Sequence, residues 1–319
     1  MAITSTGYQT PATERVGLKP SVYDKIIMIG SDETPILTKL GKSKVNNIEH
    51  SWIIDSLAEP KKNAQLEISD FDGNAKSTKQ KRRNAVQILT TEVAVSETMQ
   101  AVATYGGKEL AHEVAKKAKE HKRDLEFAIL GLGRDNDPQT SILKAPVVRD
   151  EATPGEMAGI FYFLTKTANT FTNGKRGNIF DFGGESLDED KLNQILQNIW
   201  EAGATPKDVF IGAELKKAIN KMATRQFGNE KMINSSVVSL DTDFGKVNFR
   251  LHRYFKEAYG LGGVLLAGDF DFAKIGLLKP TILTQVPTSK TAIQKRYYTE
   301  ATLEIRNADA FAAGFNLKA

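Results

Sequence analysis

The sequence predicts an α+β fold in which helices and strands follow one another without an internal repeat. Apolar residues recur every three or four positions over 108–132 and again over 186–200, which is the period of a helix with one buried face. Three other stretches, 45–57, 84–95 and 300–306, are rich in β-branched residues or alternate between apolar and polar residues, as strands do.

Length and composition exclude several classes of protein. The chain has 319 residues, of which 40% are hydrophobic and 26% charged, as in ordinary globular proteins. Its longest nearly pure apolar stretch, 160–164, is far shorter than the ~20 residues of a membrane-spanning helix, and no secretory signal is expected. The chain has no cysteine, so it forms no disulfide and no thiolate metal site. A net charge of +4 does not by itself indicate a nucleic-acid-binding protein.

The N-terminal part of the chain is predicted to project from the body. Residues 1–20 show no apolar period and are expected to form an arm, and the more apolar segment 23–29 is a candidate for a short helix. Between the predicted strands 45–57 and 84–95 lies a polar, lysine-rich segment, 58–83. Structureless loops of this length are rare in compact domains, so we expect a long hairpin that lies on a neighbouring subunit.

Two groups of residues in this hairpin are candidates for contact between subunits. The large apolar residues Leu66, Ile68 and Phe71 would face water in an isolated subunit. Basic residues without an intervening acid are expected near the tip of the hairpin, namely Lys76, Lys79, Lys81, Arg82 and Arg83. Because no aromatic residues alternate with them, we expect this basic run to contact an acidic surface rather than DNA.

The strongest helix prediction covers residues 107–132. Its buried stripe includes Leu125, and opposite charges four residues apart occupy its polar face, as in Glu113–Lys117 and Lys122–Glu126. A helix of this length would extend about 37 Å at 1.5 Å per residue.

The second half of the chain is predicted to be a compact mixture of helices and strands. Ser186 is expected to cap a helix whose apolar face ends at Trp200. Short buried strands are predicted at 209–211 and 263–267, with a hairpin at 237–251 between them. In the C-terminal strand, alternate residues are expected to point outward, namely Glu300, Thr302, Glu304 and Arg306.

No motif in the sequence supports catalysis, a cofactor or a metal. The histidines are too scattered for a zinc site and are expected at surfaces or interfaces: His50, His112, His121 and His252. The segment 184–188 lacks the second glycine of a nucleophile elbow. The glycines at 260–268 precede an apolar strand, whereas a dinucleotide-binding turn connects a strand to a helix. A nucleotide-dependent enzyme that uses these glycines is the least favoured alternative.

The order of these features resembles the major capsid proteins of tailed bacteriophages with the Hong Kong 97-type fold. The stretches 186–211 and 299–317 are similar to the axial region and the C-terminal strand of such proteins. The resemblance implies an N-terminal arm (1–43), an extended loop (44–95), a peripheral domain (96–185) with a spine helix (107–132), an axial domain (186–275) and a return to the peripheral domain (276–319).

The same resemblance implies a structural function without a cofactor. The chain would assemble into hexamers and pentamers of an icosahedral head, in the host bacterial cytoplasm, and would contact the enclosed double-stranded DNA non-specifically. A separate scaffolding protein, a portal protein and decoration proteins are implied partners, and no membrane is involved. An encapsulin-like nanocompartment shell of the same fold is the alternative, which a cargo protein and the lack of a genome would distinguish.

Overall fold

The computed structural model describes residues 33–55, 79–102, 107–166, 174–226 and 238–319, together with residues 57, 60, 62, 64, 67, 170 and 172. The side chains of 223–226 are not included in this description. Most of the predicted arm lies outside the described residues, as do Leu66, Ile68, Phe71 and Lys76 of the predicted hairpin.

The described residues form helices and strands, as the predicted α+β class requires. The helices are α1 (Pro35–Lys39), α2 (Glu97–Ala101), α3 (Glu109–Ile129), α4 (Pro138–Ile142), α5 (Ile160–Leu164), α6 (Glu189–Glu201) and α7 (Ala213–Gln226). The strands are β1 (Gly41–Lys44), β2 (Glu49–Ile54), β3 (Gln80–Ala85), β4 (Gln87–Ser96), β5 (Lys175–Arg176), β6 (Ile179–Asp181), β7 (Asp208–Ile211), β8 (Ser239–Thr242), β9 (Gly245–Leu251), β10 (Leu265–Gly268), β11 (Ala273–Val286), β12 (Ala292–Ile305) and β13 (Phe311–Phe315).

Three sheets organise the described part of the chain. One has four strands in the order β1-β11-β12-β4, and its centre is the long antiparallel hairpin of β11 and β12. A second has seven strands in the order β5-β6-β13-β10-β7-β9-β8, with α6 packed against it. The third is the antiparallel pair β2-β3.

The strand pairing corrects the predicted hairpin. The partner of β2 is β3, which begins within the segment that the sequence assigned to the loop. The predicted strand 84–95 corresponds instead to β4, which pairs with β12 in the four-stranded sheet. Only β4 has the β-branched composition that is typical of a strand, whereas β3 consists of polar residues and one alanine. The pairing in the folded subunit therefore decides that β3 is the second strand of the hairpin.

The strands of the seven-stranded sheet come from several of the expected segments. β5 and β6 belong to the seven-stranded sheet, although they fall in the predicted peripheral segment 96–185. β13 returns to the same sheet between β6 and β10, although it falls in the predicted peripheral return 276–319. Residues 33–43 of the predicted arm pack in the body, where Ile36 is fully buried. The chain therefore passes between the four-stranded and the seven-stranded sheet more often than the predicted order of domains suggests.

The long helix α3 begins two residues later and ends three residues earlier than predicted. Its end is set by Gly131, whose φ of 77° is in the left-handed region that glycine adopts without strain. A side chain at Gly131 would also meet the backbone of Gly159, which passes within 3.3 Å of the Cβ position. Leu125 is buried in the core, and α3 packs against β4 and β12.

The helix α6 begins at a cap different from the predicted one. The side chain of Asp188 accepts a hydrogen bond from the backbone N–H of Lys191, so Asp188 and not Ser186 is the N-cap. Ser186 instead forms an isolated β-bridge with Lys318. The buried face of α6 is formed by Leu192, Ile195, Leu196 and Ile199. Trp200, predicted to complete this face, is 57% exposed and lies against Phe244.

Candidate functional site

The inner face of the β2–β3 hairpin is fixed to the body of the subunit. The indole Nε1 of Trp52 donates a hydrogen bond of 2.9 Å to the carbonyl oxygen of Ile305. The fully buried amide of Asn84 donates to the carbonyl oxygens of Leu303 (2.7 Å) and Ala158 (3.2 Å). Because these bonds connect the hairpin to β12 and to the chain before α5, its root has a fixed direction.

The outer face of the same hairpin combines an exposed apolar residue with cations. Ile53 is 69% exposed and stands opposite Lys81. Arg83 points to the same side and approaches Glu49 at 3.7 Å, in a pair exposed to solvent. Such an exposed pair contributes little to stability, so these charges remain available to a partner.

The structure places the basic residues nearer the body than the sequence predicted. Lys81, Arg82 and Arg83 lie on β3, and Lys79 immediately precedes it. They were expected near the tip, but β3 begins at Gln80 and continues into the anchored Asn84. The basic residues therefore occupy the root of the hairpin, and the tip lies outside the described residues.

One face of the four-stranded sheet is uncovered over part of its length. Ile88 on β4 and Ile282 on β11 are 42% and 43% exposed. Between them on β12, Tyr298 lies under two cations: Lys279 Nζ and the Arg296 guanidinium are 5.4 and 5.5 Å from its ring centroid. The opposite face of this sheet is covered by α3. The uncovered face thus combines exposed apolar residues with charged ones, and Glu92 lies on it opposite Arg296.

Two glutamates of β12 are buried, which corrects their predicted outward direction. Glu300 accepts hydrogen bonds from Arg149 (3.0 Å) and Tyr298 (2.8 Å) and forms an ion pair with Lys279 at 3.0 Å. Burial alone would raise the pKa of Glu300, but these three partners together hold it below its ordinary value. Alternation along the strand could not reveal this, because the covering groups come from distant segments.

Glu304 is held in the same way at the root of the hairpin. Its carboxylate accepts hydrogen bonds from Arg306 (2.8 Å) and Ser43 (3.0 Å) and lies 3.3 Å from Nε2 of His50. Burial acts to raise the pKa of Glu304, but the hydrogen bonds from Arg306 and Ser43 lower it. Thr302, also predicted outward, is fully buried and donates to the carbonyl oxygen of Ala85.

A third buried carboxylate joins three parts of the chain. Glu126, predicted to pair with Lys122, is fully buried at the end of α3. Its oxygens accept the backbone N–H groups of Ile36 (2.9 Å) and Leu37 (2.7 Å), the first turn of α1. They also lie 2.8 Å from Nε2 of His252. One side chain thus binds α1, α3 and the turn that follows β9 together.

His121 and His252, predicted at surfaces or interfaces, are buried. His252 accepts the backbone N–H of Tyr254 at Nδ1, so Nε2 carries the proton directed to Glu126. His121 lies between α3 and the sheet, 2.8 Å from Thr91 Oγ1 and 2.7 Å from Thr299 Oγ1. Burial lowers the pKa of His121.

The glycine-rich stretch has a packing explanation. A Cβ at Gly263 would lie 2.5 Å from the carbonyl oxygen of Leu317, and one at Gly262 would lie 2.5 Å from a carboxylate oxygen of Glu257. The glycines therefore allow close backbone contact next to a carboxylate, which would repel a phosphate. In the described part of the chain, no group of three or more histidine, aspartate or glutamate residues could hold a metal ion. No described helix is long and apolar enough to cross a membrane.

Comparison with known proteins identifies the family. The sequence model of the SU10 major capsid protein family matches residues 3–318, so the chain belongs to this family of capsid proteins. A major capsid protein of Escherichia phage Phieco32 is 35% identical over 147 residues, which are 45% of this chain and 40% of that protein. The matched segment is thus less than half of that relative.

Solved structures show the same fold at low sequence identity. The capsid of a native GTA particle matches with a TM-score of 0.66 and 10% identity, over 98% of this chain and 99% of the other. The Gordonia phage Cozz structure matches with a TM-score of 0.63 and 11% identity, over 100% and 98%. The SrpI encapsulin of Synechococcus elongatus PCC 7942 matches with a TM-score of 0.59 and 9% identity, over 98% and 96%.

These findings confirm the predicted Hong Kong 97-type fold and the resemblance to phage major capsid proteins. The family is one of structural shell proteins, not of enzymes, so the nucleotide-dependent alternative is excluded. The sequence did not reveal the junction at Glu126 or the uncovered face around Tyr298. Neither has a local pattern, because each is made by segments that are far apart in the chain.

Proposed function

We propose that the chain assembles into hexamers and pentamers that form an icosahedral phage head around double-stranded DNA. The observation that carries the proposal is the β2–β3 hairpin, which is anchored on its inner face and uncovered on its outer face. Subunits in a closed ring meet through two different surfaces, and a projecting hairpin suits such a contact. The uncovered face around Ile88 and Ile282 is a second surface that a neighbour would cover.

In this proposal the hairpin is the extended loop of the fold. Leu66, Ile68 and Phe71 bury their side chains on a neighbouring subunit, and the root cations contact an acidic surface there. These cations are Lys79, Lys81, Arg82 and Arg83. A small gain at each contact suffices, because the contact recurs at every subunit of the shell.

The remaining partners follow from the same function. A separate scaffolding protein directs assembly in the host bacterial cytoplasm, and portal and decoration proteins complete the virion. The packaged DNA is contacted without sequence preference, through its phosphates.

A nanocompartment shell is the second candidate function. It is favoured by one observation, the similarity to the SrpI encapsulin fold. The matched family and the Phieco32 relative are both capsid proteins, so the phage head is the better supported function.

The test is to express the full chain and examine it by sedimentation and negative-stain microscopy. We expect rings, sheets or closed shells from the natural sequence. Replacing 60–78 with a short Gly-Ser linker should abolish particles while leaving the thermal midpoint of the subunit nearly unchanged. Normal particles from this variant would contradict the role of the hairpin. Particles that carry a specific cargo protein and never nucleic acid would favour the nanocompartment.

A further inference from the structure

One exposed strip of α3 carries only positive charges. Lys108 precedes the helix, and Lys119 and Lys122 follow at spacings that return to the same side. Projected at 100° per residue, these three positions fall within about 60° of one another. All three are exposed, and they extend over roughly 21 Å at 1.5 Å per residue.

The acids of α3 lie outside this face. Projected in the same way, Glu109, Glu113, Glu120 and Asp124 lie about 100–160° from Lys108. Glu113 and Glu120 form ion pairs with Lys116 (3.4 Å) and Lys117 (2.6 Å). Glu126 would project onto the basic face, but it is fully buried beneath α1. The basic strip of α3 is therefore free of exposed acids partly because the fold buries Glu126.

The basic face continues beyond the helix. Arg123 lines a cavity of about 180 Å³ together with Arg253 and Lys256, from the turn that follows β9. Glu33 is the acid in this cavity, and it already pairs with Arg253 at 3.3 Å. Arg123 thus brings the cations of α3 next to those of a turn that leaves the seven-stranded sheet. Glu120 and Asp124 line a second cavity on another side of Arg123.

We propose that this surface binds the phosphates of double-stranded DNA, so that α3 faces the interior of the shell. We call it the α3 basic face, and define it by Lys108, Lys119, Lys122, Arg123, Arg253 and Lys256. The inference rests on the proposed function as a DNA-filled head and names the surface that meets the DNA. Duplex DNA carries one negative charge per ~1.7 Å, so a straight stripe of this length lies beside many phosphates.

A polyanion fits this surface better than another subunit does. The centre of a protein–protein interface is depleted of charged residues and contains large apolar or aromatic anchors. Between Lys108 and Lys122 the exposed apolar residues of α3 are only the small Ala111 and Ala115. The root of the hairpin differs in this respect, because Lys81 and Arg83 share a face with the exposed Ile53. The α3 basic face is thus charged, but it lacks the large apolar or aromatic side chains that anchor a protein–protein interface.

The experiment measures binding of the full-length protein to a 30-base-pair duplex of mixed sequence, by fluorescence anisotropy at several salt concentrations. The variant combines Lys108→Gln, Lys119→Gln and Lys122→Gln. We expect the slope of log Kobs against log salt concentration to become shallower by about 2.7, because each phosphate contact contributes about 0.9. Glutamine keeps the length and helix propensity of these positions, and an unchanged circular dichroism spectrum verifies folding.

The matched control removes the same charge from the hairpin root, with Lys79→Gln, Lys81→Gln and Arg83→Gln. Its slope should equal that of the natural sequence. The proposal would be overturned if the salt slope changed equally in both variants, or if it did not change in the α3 variant. If the α3 variant keeps its DNA slope but loses particles in sedimentation, the face binds another subunit instead. If the natural sequence forms no particles, the proposed function as a phage head is contradicted. The salt slopes still test separately whether the α3 basic face binds DNA.

Discussion

Three buried carboxylates connect parts of the subunit that are far apart in the sequence. Glu126 holds α1 and His252 to the end of α3, and Glu300 holds Arg149 and Lys279 to β12. Glu304 does the same for residues before β2 and after β12. Buried charges are tolerated only where donors surround them, so each glutamate requires a complete set of partners. The loss of one side chain should therefore affect several segments at once.

We predict that Glu126→Leu lowers the free energy of unfolding by about 3–5 kcal/mol. The substitution leaves two backbone N–H groups of α1 and the Nε2–H of His252 buried without acceptors, each at a cost of about 1–3 kcal/mol. Chemical denaturation of the subunit measures this loss. Glu113→Leu, on the outer side of the same helix, should change stability by less than about 0.5 kcal/mol. Equal effects from both variants would contradict the role of Glu126.

We predict that His121 makes the subunit less stable as the pH falls. Its pKa is lowered by burial, so the folded state binds fewer protons than the unfolded state. The contribution to stability is therefore complete above the unfolded pKa of about 6.5 and declines as the pH falls below it. His121→Gln removes this titration, and its stability should fall less steeply between pH 7 and 5. Parallel pH profiles would show that His121 is protonated equally in both states.

At the scale of elements, each helix and strand is positioned by the face that it buries. The helix α3 contributes Leu125 to the core, while Lys119 and Lys122 on its other sides remain exposed to solvent. The hairpin β2–β3 has too little core of its own, because two strands alone are marginal in water. It is stable here because Trp52 and Asn84 attach it to the body.

We predict that Leu125→Ala lowers the free energy of unfolding by ~2–5 kcal/mol. The side chain is only 7% exposed, so its truncation leaves a cavity as well as removing apolar contact. Thermal or chemical denaturation measures the change, and Lys122→Ala on the exposed side is the control. A loss below about 0.5 kcal/mol would show that this side of α3 is not a core face.

At the scale of the whole molecule, the described part of the chain leaves exposed surfaces on several sides. The two larger sheets are joined by α1 and β1, since Lys39 pairs with Asp208 at 3.0 Å and β1 pairs with β11. The hairpin root, the face around Tyr298 and the indole of Trp200 remain accessible. These surfaces are expected in a subunit whose family forms shells, because neighbours cover them only after assembly.

We predict that charge reversal at the hairpin root, Lys81→Glu with Arg83→Glu, slows shell assembly without unfolding the subunit. The two side chains are exposed, so the folded state loses little, but attraction to an acidic neighbour becomes repulsion. Light scattering measures the assembly rate, and Lys246→Glu at another exposed position is the control. The rate for the natural sequence should fall with added salt, since exposed charges are screened over ~8–10 Å at physiological ionic strength. Unchanged assembly of the double variant would exclude this contact.

The sequence alone was sufficient for the elements with strong periodicity and for the family. The stripe through Leu125 predicted α3, and the order of arm, hairpin, helix and mixed remainder matched the capsid fold. Only the tertiary structure decided which strands pair, because the polar sequence of β3 gives no strand signal although β3 pairs with β2, and the partner of β4 is the distant β12. It also decided which polar residues are buried, as at Glu300 and Glu126. Burial of a charge depends on donors from distant segments, and local periodicity carries no information about which segments meet.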